Sequence, residues 1–397
     1  MNGEQRERLR TRLRDLGFDE VRFAAAAVPA DLGLSEWLAA GHHADMDWLA
    51  RSAAKRADPQ LVLPGTRAIV VLGVNYWPGR QVDGTLFARY ALYSDYHDTI
   101  RVGLERAGRV LEELCGIAST DYRYYVDAGP VQERGWAASA GLGFRGKNGN
   151  LISRNHGNWL LLSAILVRCE IPPDDALAEE LPMRTGLFCG KCTRCLEACP
   201  TAAFPAPGIV DARRCISYQT IENRGFVPRE LRGRFGARVF GCDECLAVCP
   251  WNRFAQAGRS ELLARRYDLA RLGLVELLQL TPERFREVFR GTAVKRTKLV
   301  GVLRNACIAA GNVHAESAEG DDAERTQVEA ALLQLARHEA AVVRGHAVWA
   351  LRRICGDVRA RSLLGEIRVA ETDPAVLAEY DASGVTAPER TARASSQ

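Results

Sequence analysis

Eight of the twelve cysteines crowd into residues 188–251: Cys189, Cys192, Cys195, Cys199, Cys215, Cys242, Cys245 and Cys249. The first four read C-x2-C-x2-C-x3-C and run into Pro200; the last three read C-x2-C-x3-C and run into Pro250. Three closely spaced cysteines lie on one loop that wraps an inorganic core, and a fourth followed by proline turns the chain away from it. The chemistry of such a run is one-electron transfer through 4Fe–4S clusters. Structural zinc is the alternative for eight thiolates, but zinc pairs usually come as two separated C-x2-C knuckles. A disulfide framework needs an oxidising compartment, which nothing here suggests. The C-x3-C-x2-C spacing of a radical site is absent, since Ala202 and Asn252 stand where its third cysteine would be.

The pattern is similar to that of bacterial two-cluster ferredoxins, in which the fourth cysteine of each run crosses to the other cluster. On that basis Cys189, Cys192, Cys195 and Cys249 are assigned to one 4Fe–4S cluster. Cys199, Cys242 and Cys245 go to the second, with Cys215 as its displaced first ligand.

Clusters only move electrons, so another part of the chain must use them. Asp127 ends a predicted strand just before Gly129-Pro130. A carboxyl kept protonated there by burial would serve as a general acid; a cap for the helix starting near Val131 is the competing reading. Gly141-Leu142-Gly143-Phe144-Arg145-Gly146-Lys147-Asn148 allows close backbone approach to a flat or phosphorylated ligand. It is not a Walker A loop, because Asn148 replaces Ser/Thr. Tyr90 and Asp95-Tyr96-His97 form a polar-aromatic knot before a helix, where His97 is either a ligand or a capping or core histidine.

Periodicity predicts the elements that hold these residues. Helices are expected over residues 4–16, 35–49 (anchored by Trp37 and Trp48), 97–115 and 132–140, and strands over 21–26, 68–74, 121–126 and 158–167. They mix without a regular βαβ period, so the fold class is α+β to about residue 180. A linker follows around residues 170–181, then the cysteine-rich segment, and beyond Trp251 the chain reads almost wholly helical. Residues 298–311 and 342–356 resemble each other with the spacing of HEAT-type helix pairs; a plain helical bundle is the alternative. The expected domains are 1–180, 181–255 and 256–380, with a disordered Ser-, Ala- and Arg-rich tail over 381–397.

Composition is that of an ordinary globular protein, 47% hydrophobic and 26% charged. The polar start of the chain has no apolar signal core, and the longest apolar run, residues 159–167, is too short to span a bilayer. A cytoplasmic monomer without membrane contact is expected. Net charge is +4, but residues 281–310 carry seven Lys/Arg against two Glu. Such a segment steers a polyanion or is simply a solvated helix face.

Taken together, the chain resembles the epoxyqueuosine reductases over nearly its whole length. The resemblance rests on Leu63-Pro64-Gly65, Asp95-Tyr96-His97-Asp98, Val126-Asp127-Ala128-Gly129-Pro130-Val131, the loop 141–148, the eight cysteines, Cys215-Ile216-Ser217-Tyr218-Gln219 and Cys249-Pro250-Trp251-Asn252. It implies a cobalamin-binding N-terminal domain, a ferredoxin-like domain with two 4Fe–4S clusters, and HEAT-like repeats that hold tRNA. The implied reaction is a two-electron reduction of epoxyqueuosine to queuosine at the wobble position, the last step of queuosine biosynthesis, fed by an external low-potential donor. It makes Asp127 the proton donor, and Arg56, Tyr90, Asp127, Lys147, Asn148, Ser217 and Asp243 the corrin-lining candidates. Arg296, Lys298, Arg304, Asn305 and Arg344 are the candidates for the tRNA anticodon stem-loop. Ile100 stands where a cobalt-ligating D-x-H-x-x-G motif needs Gly, so His97 is not expected to ligate cobalt. A corrinoid reductive dehalogenase would carry a twin-arginine signal and no such repeats. A plain electron carrier would lack the corrinoid, and a purely RNA-binding repeat protein would bind tRNA without turnover.

Overall fold

The computed structural model describes residues 1–26, 33–79, 86–177, 184–259, 261–316 and 322–382. The N-terminal part runs α1 (Gly3–Arg14), β1 (Glu20–Ala25), α2 (Leu34–Ala39), α3 (Asp47–Arg51), α4 (Ala53–Ala57), β2 (Ala68–Asn75), α5 (Tyr96–Cys115), β3 (Tyr122–Val126), α6 (Glu133–Ser139), β4 (Gly143–Arg145), β5 (Leu151–Ser153) and β6 (Leu160–Val167). The main sheet has the order β1-β2-β6-β3, and every pairing is antiparallel. Its central strand β2 is buried at all eight positions, which is why its sequence is a continuous apolar run rather than an alternating one. Val21, Phe23, Val70, Leu72, Ile165 and Val167 face α1 and α5 on one side. Ala24, Ile69, Val71, Ala164 and Leu166 face Trp136 and Ala137 of α6 on the other. The result is a three-layer α+β unit with two hydrophobic cores.

One expectation needs correction. Residues 35–49 are not one helix: Gly41 and Ala44 adopt φ of 66° and 55°, left-handed backbone that stops α2 before α3 begins. The glycine-rich stretch after residue 141 carries the β4–β5 hairpin, whose strands are too short for a period to show. The predicted tail lies, beyond its first two residues, outside the described residues.

The cysteine-rich segment contributes only short helices, α7 (Arg194–Glu197), α8 (Ile216–Ile221), α9 (Arg229–Arg232) and α10 (Glu244–Ala247). After it come α11 (Leu274–Leu278), α12 (Pro282–Val288), α13 (Lys298–Glu316), α14 (Asp322–Leu335), α15 (Ala341–Val369) and α16 (Pro374–Asp381). The two similar sequence segments lie in α13 and α15, and α15 is kinked at Gly356, whose φ is 74°. A Cβ on Gly311 would sit 2.6 Å from the Trp349 ring, so glycine is what lets α13 and α15 approach.

A buried polar seam fastens α13 to the cysteine-rich segment. Arg304 donates to the carbonyls of Gln219 (2.6 Å), Asn223 (2.7 Å) and Gly225 (2.9 Å). Asn305 donates to Thr220 O and Val239 O, both at 2.8 Å, and Asn312 to Arg232 O at 2.8 Å. Every acceptor lies between Cys215 and Cys242. An irregular loop cannot pair its carbonyls in a ladder, and these side chains satisfy them instead.

Candidate active site and metal centres

The eight thiols fall into two neighbouring groups. Burial, then the charges of Cys189, Cys249 and Cys192, push the Cys195 thiol up to about 11. Cys245 is raised by burial and then by Cys215, Cys242 and Cys199, with Cys195 also in range. Within electrostatic reach, the structure thus brings together the sets expected from the spacing, the displaced Cys215 included. Among the described residues, no three His, Cys, Asp or Glu gather closely enough to hold a single metal ion.

Lys147 and Asn148 brace these loops. The Lys147 ammonium donates to Gly190 O (2.7 Å) and Cys192 O (3.1 Å). Asn148 is buried and donates to Asn158 Oδ1 (2.8 Å) and Cys245 O (3.3 Å). Their polar atoms position the two cysteine loops. Ser217 donates toward the Cys215 thiol, so it too supports a cluster ligand.

Asp127 follows the end of β3 in a strained turn. Its φ is 55°, and Ala128 N donates to Val126 O at 2.6 Å, closing a three-residue turn of the rarer hand. A Cβ on Gly129 would lie 2.3 Å from the Tyr125 ring, so only glycine permits this path. The turn aims the carboxylate at the N-terminal end of α5. There Tyr96 donates its hydroxyl to Oδ2 at 2.6 Å, and His97 Nε2 stands 3.5 Å from the same oxygen. The other ring nitrogen of His97 meets Asp95 Oδ1 at 2.8 Å, and Asp95 caps the helix through His97 N.

This geometry corrects the protonation expected for Asp127. Surrounding protein disfavours the charged carboxylate, but the hydrogen bonds from His97 and Tyr96 and the charges of His97 and Arg134 outweigh it, and its pKa falls to about 2. Burial likewise works against a charged His97, yet Asp127 and Asp95 raise it to about 9. The proton at neutral pH therefore sits on the imidazole, one hydrogen bond away from Asp127. The Asp127 side chain is 65% exposed, so it opens onto free space. It does not cap α6, whose N-cap is Gln132.

Arg56 and Tyr90 lie within electrostatic range of Asp127, and Asp243 within range of Tyr90. Tyr90 packs edge-on against Tyr96 (5.9 Å) and feels the charges of Asp127, Asp243 and Arg296. Arg56 Nη1 donates to Val131 O at 3.1 Å, beside the Asp127 turn. Asp243 accepts from Arg89 N (2.8 Å) and Nη1 (3.1 Å), and burial raises its pKa. Sequence reasoning missed Gln132 and Glu133. Gln132 Nε2 and Glu133 Oε1 are buried without a hydrogen-bond partner. Burial and the nearby Asp127 charge raise Glu133 to about 8. Unpaired buried polar atoms of this kind are satisfied by a ligand or by water, and the peripheral carboxamides of a corrin supply both donors and acceptors.

The expected tRNA contacts divide. Arg304 is 1% exposed and Asn305 fully buried. Neither can reach a phosphate, because both are consumed by the seam described above. Arg344 makes a bidentate ion pair with Glu371 at 2.6 and 2.9 Å. Arg296 pairs with Glu222 in the same way but remains exposed, as does Lys298, whose φ of 61° is strained for a lysine. No described helix is long and apolar enough to cross a membrane.

Residues 188–252 match a family model described as a 4Fe-4S double cluster binding domain, and residues 56–128 match "Epoxyqueuosine reductase QueG, DUF1730". The epoxyqueuosine reductase of Burkholderia pseudomallei is 38% identical over 371 residues, covering 85% of this chain and 90% of that protein. That of Aliivibrio fischeri is 37% identical over 314 residues, covering 77% and 82%. A crystal structure of an epoxyqueuosine reductase with a tRNA-Tyr epoxyqueuosine-modified stem loop superposes with a TM-score of 0.80 at 27% identity, over 95% of this chain and 97% of that one. The chain therefore belongs to the epoxyqueuosine reductase family, oxidoreductases of queuosine biosynthesis that carry a 4Fe–4S double-cluster domain.

Proposed function

We propose that this chain reduces epoxyqueuosine to queuosine at the wobble position of tRNA, with two 4Fe–4S clusters and a cobalamin as cofactors. The observation that carries the reading is the His97–Asp127–Tyr96 group on a strained turn, opening to free space in the same chain as two sets of four cysteines. Turning the epoxide into an alkene consumes two electrons and two protons and releases water. When bound, the clusters and the corrin supply the electrons from low potential, one at a time.

The chain's own residues manage the protons and the geometry. An alkoxide is a poor leaving group, so the departing oxygen has to be protonated. His97 holds one proton, which Asp127 relays: the carboxylate first takes it from the imidazolium and then gives it to the departing oxygen, while solvent supplies the second proton and reprotonates the imidazole. Tyr96 keeps the carboxylate turned toward the opening. Gln132, Glu133, Arg56 and Tyr90 line the side on which a corrin would rest, and Lys147 and Asn148 keep the cysteine loops in place. We assign residues 1–180 to cofactor binding and catalysis, 181–255 to electron supply, and the HEAT-like helices of 256–380 to tRNA, in a monomer of the cytoplasm. A relative solved with an epoxyqueuosine-modified tRNA stem loop supports tRNA as the partner. A splayed anticodon-loop base is the part of RNA that a pocket can read.

The test is incubation of the reconstituted, reduced protein with epoxyqueuosine-containing tRNA, followed by mass analysis of the nucleosides. Loss of one oxygen from the modified nucleoside is expected. An unchanged nucleoside, with both clusters and corrin present and reduced, overturns the reading.

A further inference from the structure

Trp48 is one of the few large apolar side chains left exposed, at 38%. It stands on α3, in the segment that also carries Arg56 on α4 and so leans on the Asp127 turn. The Arg296 guanidinium lies over its ring, 5.7 Å from the centroid. Arg296 belongs to the 3-10 turn Ala293–Thr297 of the C-terminal part. Two independent sets of contacts hold that turn: Arg296 is clamped by Glu222, and Arg224 donates to the carbonyls of Arg296 (2.9 Å) and Thr297 (3.1 Å). Arg296 also lies within electrostatic range of Asp127 and Tyr96. The Trp48–Arg296 pair therefore bridges the N-terminal unit and the C-terminal helices at the edge of the opening above Asp127.

An exposed indole offers a flat apolar face that a stacking partner can cover. The chemistry around it says what. Arg51, Lys55, Lys295 and Lys298 are exposed on the same two segments, against the acids Asp45 and Asp47. An aromatic face flanked by arginine and lysine is the way a protein holds an unpaired nucleotide: the base stacks on the ring and the cations meet the phosphates. An apolar peptide would have no use for the cations, and a duplex has no free base to stack.

We propose that Trp48, held by Arg296, is a stacking platform for an unpaired nucleobase flanking the nucleotide that enters the opening. The platform keeps the neighbouring base from restacking while the modified one is extruded. This rests on the tRNA reading above.

The test is the affinity of the cofactor-loaded protein for an epoxyqueuosine-bearing anticodon stem loop, measured by fluorescence anisotropy. Trp48→Ala is expected to weaken binding by about 5- to 150-fold, the range of base–aromatic stacking. Trp48→Phe should recover most of it. The salt dependence should be unchanged in Trp48→Ala but shallower by about one in Arg296→Ala. Abasic replacement at each loop position then identifies the base: at one position the penalty seen with wild type should vanish in Trp48→Ala. Wild-type affinity in Trp48→Ala, or penalties that add at every position, overturns the platform. A wild-type protein that does not hold the stem loop at all removes the tRNA reading itself, and the platform with it. Unchanged cluster absorbance and thermal midpoint in the variants exclude misfolding as the cause.

Discussion

Replacing His97 by glutamine tests where the proton is stored. Lifting a histidine from 6.5 to about 9 amounts to about 3 kcal/mol of preference for the imidazolium. The partner carboxylate of Asp127 is 65% exposed, and screening by solvent reduces the contribution to stability to about 1–2 kcal/mol. The folded-state pKa is raised, so this stabilisation is complete below about 6.5 and is lost as pH rises through about 9. Asp127 behaves oppositely: its pKa is lowered from 3.8 to about 2, so its share is present above 3.8 and lost only as pH falls through about 2. Single-turnover rates of the pre-reduced protein should therefore hold through neutrality and fall above about pH 9, the folded-state pKa of His97. His97→Gln should turn over slowly with no such alkaline limb, and its thermal midpoint should change less than wild type's between pH 6.5 and 9.5. Glu133 also titrates in this region, at about 8, so Glu133→Gln is the control and should retain the limb. A His97→Gln protein with wild-type rate and limb would refute the assignment of the proton to the imidazole.

Other substitutions read other parts of the structure. Arg304→Met should cost about 3 kcal/mol by stranding the buried Gln219 carbonyl and the part-buried carbonyls of Asn223 and Gly225, lowering the thermal midpoint while leaving the salt dependence of tRNA binding unchanged. A shallower salt slope with normal stability would restore the phosphate role. Lys147→Met frees the Gly190 and Cys192 carbonyls, and iron analysis after reconstitution should fall from about eight toward four per chain; full iron content would show that the ammonium is dispensable. Gly129→Ala forces the Asp127 turn against Tyr125 and should cost about 1–3 kcal/mol, with reduced turnover but intact cluster absorbance; wild-type turnover would count against the turn's role.

What could be read in advance depended on whether a residue's task is set by neighbours in sequence or in space. The cysteines were legible because cluster ligation is a matter of spacing, and the structure brings thiols of both runs within electrostatic range of Cys195 and of Cys245. The main-sheet strands were legible because β2 and β6 are apolar runs bounded by turns. Asp127 was legible as a position, but its charge state was not: that depends on His97 and Tyr96, thirty residues away in another element. Arg304 and Asn305 misled because basicity looks the same on a surface and in a seam; only the loop carbonyls they bind reveal the difference. Trp48 looked like a core anchor, since an indole at helical spacing usually is one. The left-handed backbone at Gly41 and Ala44, which brings it outward, leaves no periodic trace.

The seam between α13 and the carbonyls of residues 219–239 makes one event of two. The stretch it grips hangs between Cys215 and Cys242, so a cell short of iron would not merely leave an enzyme without electrons. Under the tRNA assignment proposed above, the loosened stretch would release its hold on the helices behind it, and the starved protein would lose its grip on RNA as well. Nutritional scarcity would thus withdraw the enzyme from its substrate instead of leaving a dead copy sitting on the anticodon.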